Sequence, residues 1–161
     1  MKIIVVSDSH GKEGVLEQVV KTHPDADAYL HCGDIEDYAE SYPQYIIVQG
    51  NNDIFYDHPE QRIISLKNHR ILMVHGHTFS YSRRLEEMAK AAIENNCDIV
   101  CYGHTHVAAD ETINGVRLLN PGSLRYSRDG RPPSYLVMTI DDTHVDVEFV
   151  FLQQKQRKFF W

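Results

Sequence analysis

The chain has 161 residues, 42% hydrophobic and 24% charged, an ordinary balance for one globular domain with a proper core. Lys and Arg number 16 against 23 Asp and Glu, and the formal net charge of −7 argues against a broad nucleic-acid footprint or an anionic membrane surface. No apolar stretch approaches the roughly 18 to 20 residues of a membrane span, and the N-terminus lacks a signal-peptide pattern. Cys32, Cys97 and Cys101 are odd in number and without Cys-x-x-Cys spacing. They read as buried, reduced thiols of a cytoplasmic protein. The ten histidines are the compositional anomaly. His10, His75, His77, His104 and His106 lie just past the end of an apolar run, close to a Gly. His23, His31, His58, His69 and His144 read as surface or satisfied core residues.

In chain order, Ile3 to Val6 form an apolar run typical of a strand buried on both faces, and it stops at Asp8-Ser9-His10. Gly14 to Lys21 has the apolar spacing of an amphipathic helix ended by Pro24. Ala28 to Cys32 is a second strand, stopping at Gly33-Asp34. Asp37 to Ser41 reads as a short helical turn. Tyr45 to Gln49 is a third strand, stopping at Gly50-Asn51-Asn52-Asp53. This βαβ alternation predicts parallel strands with right-handed crossovers.

Arg62 to Leu66 and Arg70 to Val74 then form a hairpin whose second strand ends at His75-Gly76-His77. Tyr81 to Asn95 is the clearest helix, with Ser82 as N-cap and a stripe of Leu85, Met88, Ala89, Ala92 and Ile93. Its charged residues, Arg83, Arg84, Glu86, Glu87, Lys90 and Glu94, read as a solvated face. Asp98 to Tyr102 is another buried strand, ending at Gly103-His104-Thr105-His106. Asp110 to Ile113 and Val116 to Leu119 flank Asn114-Gly115, a type I′ hairpin signal. Arg125 to Pro133 reads as an exposed, mobile loop. Ser134 to Ile140 and His144 to Leu152 form a last hairpin. The tail from Gln153 to Trp161 is basic and ends in Phe159, Phe160 and Trp161, which suits packing onto the domain or a second subunit.

The strand ends therefore line up as Asp8-x-His10, Gly33-Asp34, Gly50-Asn51-Asn52-Asp53, His75-Gly76-His77 and Gly103-His104-x-His106. Glycine permits the tight turn and the close approach of backbone to an ion or substrate. Imidazole and oxygen donors without a thiolate suit Mn²⁺, Fe, Ni²⁺, Co²⁺ or Zn²⁺ and argue against a structural zinc site. The donors exceed the needs of one ion. Two ions about 3.5 Å apart, bridged by a carboxylate, would use them all.

The five motifs in this order resemble the calcineurin-like metallophosphoesterase superfamily, and the chain length and spacing resemble its small bacterial and archaeal phosphodiesterase branch. The resemblance implies one metallophosphoesterase domain over residues 1–161, an α/β four-layer αββα sandwich of two facing mixed sheets. Both late hairpins are expected in its second sheet. It also implies a dinuclear metal-dependent phosphoric diester hydrolase, in which a metal-activated hydroxide attacks phosphorus. By position, Asp8, His10, Asp34 and His106 would hold one ion, and Asp34, Asn51, His75 and His104 the other. Mn²⁺ leads the expected metals, with Ni²⁺, Co²⁺, Fe or Zn²⁺ as alternatives. Asn51 could also donate to the phosphate.

Many superfamily members have His where this chain has Asn52, which cannot supply a proton near pH 7. Slower turnover and a bias toward good leaving groups are therefore expected. Asp53 would orient Asn52 or a loop. His77 reads as a group beside the metals or the substrate, or as a packed histidine. Arg125 could meet the phosphate, although Asn120 to Ser123 reads first as a structural turn. The expected partner is a small phosphodiester, with no membrane or nucleic acid, and a homodimer or higher homo-oligomer is open. Two alternative functions keep the fold. One is a non-catalytic scaffold like the small retromer subunit. The other is a nuclease like the double-strand-break repair enzymes.

Overall fold

The computed structural model describes residues 1–153. The aromatic end of the tail, offered above for packing or dimerisation, lies outside the described residues. The first sheet contains β1 (Lys2–Val6), β2 (Ala28–His31), β3 (Tyr45–Ile47), β9 (Ser134–Ile140) and β10 (Val145–Phe151), in the order β10-β9-β1-β2-β3. The second contains β4 (Gln61–Leu66), β5 (His69–Val74), β6 (Ile99–Cys101), β7 (Ala109–Ile113) and β8 (Val116–Asn120), in the order β4-β5-β6-β8-β7. The helices are α1 (Val15–Thr22) and α2 (Arg84–Glu94). A 3-10 turn covers Ala39–Ser41.

Side-chain alternation explains the layering. Ile3 and Val5 of β1 point between the sheets and join Leu30, Ile71, Met73, Ile99, Leu119, Leu136 and Met138 in a central core. Ile4 and Val6 point the other way and meet Leu16 and Val19 of α1. Leu72, Val100 and Leu118 meet Met88, Ala89 and Ala92 of α2 across the second sheet. The result is the expected four-layer sandwich, helix–sheet–sheet–helix. Cys32, Cys97 and Cys101 are buried free thiols. No helix among the described residues is long and apolar enough to cross a membrane.

Strands β1, β2 and β3 are parallel, as the alternation predicts. The last hairpin departs from expectation. β9 runs antiparallel beside β1 in the first sheet, with Ile3 opposite Met138 and Val5 opposite Leu136. Of the two late hairpins, only β7–β8 joins the second sheet. A free edge of β1 and the matched inward residues Leu136, Met138 and Ile140 account for the placement. Helix α2 begins at Arg84, not Tyr81, and Ser82 does not cap it. Glu87 instead turns back and accepts the Ser80 amide at 2.8 Å. Ile93 is 51% exposed, because the buried stripe is only Met88, Ala89 and Ala92 wide. Arg84 leaves the solvated face, and its Nε donates to the Gly76 carbonyl at 3.1 Å.

His31 is a satisfied core histidine, as its position inside a strand suggests. Its Nδ1 accepts the Gly33 amide at 3.1 Å, so its Nε2 carries the proton and donates to Ser9 Oγ at 2.8 Å. Burial pushes its pKa down to about 3. The unfolded chain takes up this proton near pH 6.5, whereas the folded chain resists it down to about pH 3. Stability should therefore fall as pH drops through that window, by up to about 1.4 kcal/mol per pH unit from this residue. Urea unfolding of wild type and His31→Gln between pH 7.5 and 5 checks this. The variant should show a shallower loss toward acid, and parallel curves would contradict the assignment.

Candidate metal centre

Parallel strands of both sheets finish on one edge of the sandwich, and their ladders run one step beyond the strands. The amides of Asp8, His10 and Gly103 donate to the carbonyls of Gly33, Asp34 and His75 at 3.0, 2.9 and 3.0 Å. The turns are therefore in register before any side chain contributes. Asp8, His10, Asp34, His104 and His106 all adopt left-handed backbone conformations, with φ between 47° and 71°. Non-glycine residues seldom hold that conformation, and such strain gathers at functional sites. Gly50 is needed for close approach, since a Cβ there would strike the Asp34 carboxylate.

These turns bring all seven expected ligand residues together. Asp8, Asp34, His75 and His106 are buried, with exposures of 5% or less. Asp8 Oδ1 lies 3.1 Å from His106 Nε2 and 3.6 Å from His10 Nε2. The two Nε2 atoms of His10 and His106 are 3.1 Å apart. Asp34 Oδ2 lies 3.4 Å from His75 Nε2 and 3.9 Å from His10 Nε2. Asn51 Oδ1 is 3.1 Å from both His75 Nε2 and His104 Nδ1. The donor atoms of Asp8, His10 and His106, and those of Asp8, Asp34 and His75, are each close enough to share an ion.

The tautomers show that the cluster fits a cation. His75 Nδ1 donates to the Cys32 carbonyl at 2.7 Å, and His106 Nδ1 donates to the Tyr126 carbonyl at 2.8 Å. Each neutral ring then turns the lone pair of Nε2 toward carboxylate or amide oxygens, so acceptor faces acceptor. A proton or a metal ion must lie between them. Asp8 Oδ1 is buried with no hydrogen-bond partner among the described residues. A nitrogen and oxygen donor set without thiolate suits a divalent transition metal.

Electrostatics agree with this geometry. Burial works to raise the Asp8 carboxyl, but His10 and His106 beside it, with His75 and Ser7, hold it well below the usual range. Burial likewise opposes ionisation of Asp34, and His75 outweighs it. His10 is raised by Asp8, and His75 is raised despite its burial by Asp34 and Asp8. His104 is pushed down to about 4 by burial, by His75 and by Arg84.

His77 stands beside the cluster, its ring centroid 5.4 Å from His75. Burial and then His75 lower its pKa, and its Nδ1 has no partner among the described residues. Asn52, an exposed residue, donates its amide Nδ2 and backbone N to Asp34 at 3.0 and 2.9 Å. Arg125 bonds to the backbone of a ligand-bearing turn. Its Nη1 donates to the His10 carbonyl at 2.6 Å, because the turn at Ser123 places it against that backbone. The Arg125 to Pro133 segment is tied down rather than free. Arg128 donates to the His104 carbonyl and Arg131 to that of Ala108.

Three residues support the cluster from behind; Asp53 was expected to orient Asn52 or a loop, whereas the roles of Ser123 and Asn120 were not read from the sequence. Asp53 accepts the backbone amides of Asp34, Glu36 and Gly50 at 2.7, 2.7 and 2.8 Å, bracing two loops at once. Ser123 Oγ donates to the Asp8 carbonyl at 2.7 Å. Asn120 donates to the Gly103 carbonyl and Thr105 Oγ1 at 3.1 and 2.9 Å. The clue to Asp53 was its place two residues past Asn51, but its partners are backbone and carry no sequence signal.

Removing the Asp53 carboxylate would leave three amides without their acceptor. Asp53→Ala should cost about 3 kcal/mol or more of stability, at about 1 kcal/mol or more per orphaned donor. Asp53→Asn should cost less, because one acceptor oxygen remains. Urea midpoints of both variants check this, and a cost for Asp53→Ala within about 0.5 kcal/mol of wild type would contradict the bracing role.

Residues 1–143 match the calcineurin-like phosphoesterase superfamily domain. A Bacillus subtilis protein named probable metallophosphoesterase YsnB is 33% identical over 92% of this chain and 90% of its own. The Escherichia coli protein named phosphodiesterase YfcE is 28% identical over 88% of this chain and 89% of its own. A crystal structure of a predicted phosphoesterase from Streptococcus pneumoniae superposes with a TM-score of 0.86 at 32% identity, covering 93% of this chain and 88% of that one. Vps29 of Entamoeba histolytica, in complex with Zn²⁺, superposes with a TM-score of 0.72 at 25% identity, covering 93% and 98%. With its strand-end motifs gathered on one edge and the domain match spanning most of its length, the chain belongs to the calcineurin-like phosphoesterase superfamily.

Proposed function

We propose that the protein is a metal-dependent phosphodiesterase that uses two divalent ions, with Mn²⁺ the first candidate. The observation that carries this reading is the convergence of Asp8, His10, Asp34, Asn51, His75, His104 and His106 around a buried carboxylate oxygen that lacks a partner. Asp8, His10 and His106 would hold one ion, and Asn51, His75 and His104 the other. Asp34 would serve both, since its Oδ2 approaches His75 and His10 alike. Divalent ions bound there would acidify water and neutralise charge on the phosphoryl oxygens.

The protein's own groups do the rest. Asn51 presents Oδ1 to His75 and His104, which leaves its amide nitrogen to hold a phosphoryl oxygen. Asn52 keeps Asp34 oriented and delivers no proton. His77, beside His75 and with an unpartnered Nδ1 among the described residues, would be available to a substrate. Two carboxylates against two divalent ions leave an excess of positive charge that a diester monoanion and a water-derived nucleophile would balance. Diesters with good leaving groups suit a site whose Asn52 supplies no acid.

Likeness to Vps29 favours a second reading, a protein-binding scaffold of the same fold. The buried Asp8, Asp34, His75 and His106 count against it, because a scaffold gains nothing from carboxylates and imidazoles that are costly to bury. Hydrolysis of bis-p-nitrophenyl phosphate by chelator-treated protein, with and without Mn²⁺, separates the two. Activity should appear with metal and fall on the order of 100-fold or more in His104→Ala. No activity with Mn²⁺, Ni²⁺, Co²⁺ or Zn²⁺ would sink the enzyme reading. Asp34→Asn should lower metal content below two ions per chain by elemental analysis, whereas two retained ions would remove Asp34 from the shared position.

A further inference from the structure

A groove of about 740 Å³ opens beside His104, between the start of α2 and strand β7, and of the metal cluster only His104 borders it. Its volume lies within the range of small-molecule sites and is far more than a phosphate group fills. At the cluster end stand two guanidinium groups held in place by backbone. Arg84 Nε donates to the carbonyl of Gly76, between His75 and His77, at 3.1 Å, and Arg128 Nη1 donates to the carbonyl of His104 at 3.4 Å. Leu85, Val107, Ala109 and Ile113 line the apolar walls, and the carboxylates of Glu86 and Glu111 also border the groove. Tyr81 is 92% exposed at its rim, with the Arg84 guanidinium 5.8 Å from the ring centroid.

A phosphodiester has two ester arms. With its phosphorus over the cluster, one arm passes His104 and enters the groove. An alkyl arm would cover Arg84 and Glu111 without giving them hydrogen-bond partners, which is unfavourable. An arm with a flat ring and hydroxyl or amino groups fits each wall. The ring can lie against Tyr81 and the guanidinium of Arg84, and the polar groups can reach Glu111. We infer that this groove receives one ester arm of the substrate, and that the arm is a ring-bearing, hydrogen-bonding group of nucleoside size, not a hydrocarbon chain. The inference rests on the phosphodiesterase reading and adds the class of substrate to it. The net charge of −7 disfavours a polynucleotide as the source of the arm.

The test uses three diesters that share p-nitrophenolate as leaving group, with methyl, hexyl or thymidine 5′ as the second arm. With the Mn²⁺-loaded protein, kcat/KM for the thymidine ester should exceed that for the methyl ester by tenfold or more, and the hexyl ester should stay within threefold of the methyl ester. Ala109→Trp, which fills the groove, should return the thymidine ester to the methyl-ester rate. Tyr81→Ala, an exposed position with little folding risk, should raise KM for the thymidine ester at least threefold. Equal rates for methyl and thymidine esters, or a hexyl preference, would overturn the groove assignment and leave the phosphodiesterase reading intact. If none of the three is hydrolysed, that reading fails, and thymidine 5′-monophosphate binding measured by calorimetry decides the groove. Binding that Ala109→Trp weakens tenfold supports it, and no binding overturns it.

Discussion

Two carboxylates buried against four imidazoles govern the rest of this structure. An isolated ionised group taken out of water costs far more than a domain's whole stability, so Asp8 and Asp34 must be compensated where they stand. The structure answers with donors from every direction. Ser7 Oγ and the His104 amide meet Asp8 Oδ2 at 2.6 and 3.0 Å, and Asn52 donates twice to Asp34. What these donors leave over is Asp8 Oδ1 together with the inward lone pairs of His75 and His106. The remaining demand is for positive charge at particular points, and the rings are oriented from behind so that the demand cannot relax.

The second constraint is conformational. Five ligand-bearing residues hold left-handed backbone, each at a cost of order 1–3 kcal/mol that the surroundings must over-determine. The Arg125 to Pro133 segment supplies much of that. Its arginines, three residues apart, reach back to the carbonyls of His10, His104 and Ala108, and the Tyr126 carbonyl takes the His106 Nδ1 proton. A polar segment that looks loose is in effect a strap over the outer side of the metal cluster. Asp53 does the same beneath Asp34 by collecting backbone amides from both neighbouring loops.

The fold and cluster were largely legible because their signals are local. An apolar run that stops at Gly and a ligand-type residue can be seen in five or six letters, and alternation along β1 or the stripe of α2 needs only a short window. Most of the misses depend on contacts outside a short window. Nothing within Ser134 to Phe151 says whether that hairpin joins β8 or β1, since its alternation suits either edge. Ser82 had the right chemistry for a cap, but the chain enters α2 at Arg83. Arg84 looked like a solvent-facing charge, whereas its Nε bonds to the Gly76 carbonyl, and Arg125 bonds to the carbonyl of His10, a turn distant in sequence. Side-chain donation to backbone leaves no trace in the partner's identity, so such bonds stay invisible until the fold is known.

The position of β9 beside β1 has a consequence for the order in which the protein can form. The strand that leads to Asp8 and His10 is made before the other strands of its sheet, but its neighbour on one side is Ser134–Ile140. Ser123 and Leu124 hold the backbone of Asp8 and Ser7, and His104 and His106 complete the cluster. No early fragment can close the first sheet or compensate its acidic turn. The nascent chain must keep a strongly apolar strand unpaired on one edge until Ser134–Ile140 has been made. Pairings of such sequence separation form slowly and leave edges exposed to aggregation. Metal capture is thus tied to the last stage of folding, and an ion that binds only the finished cluster would pull the folding equilibrium toward completion.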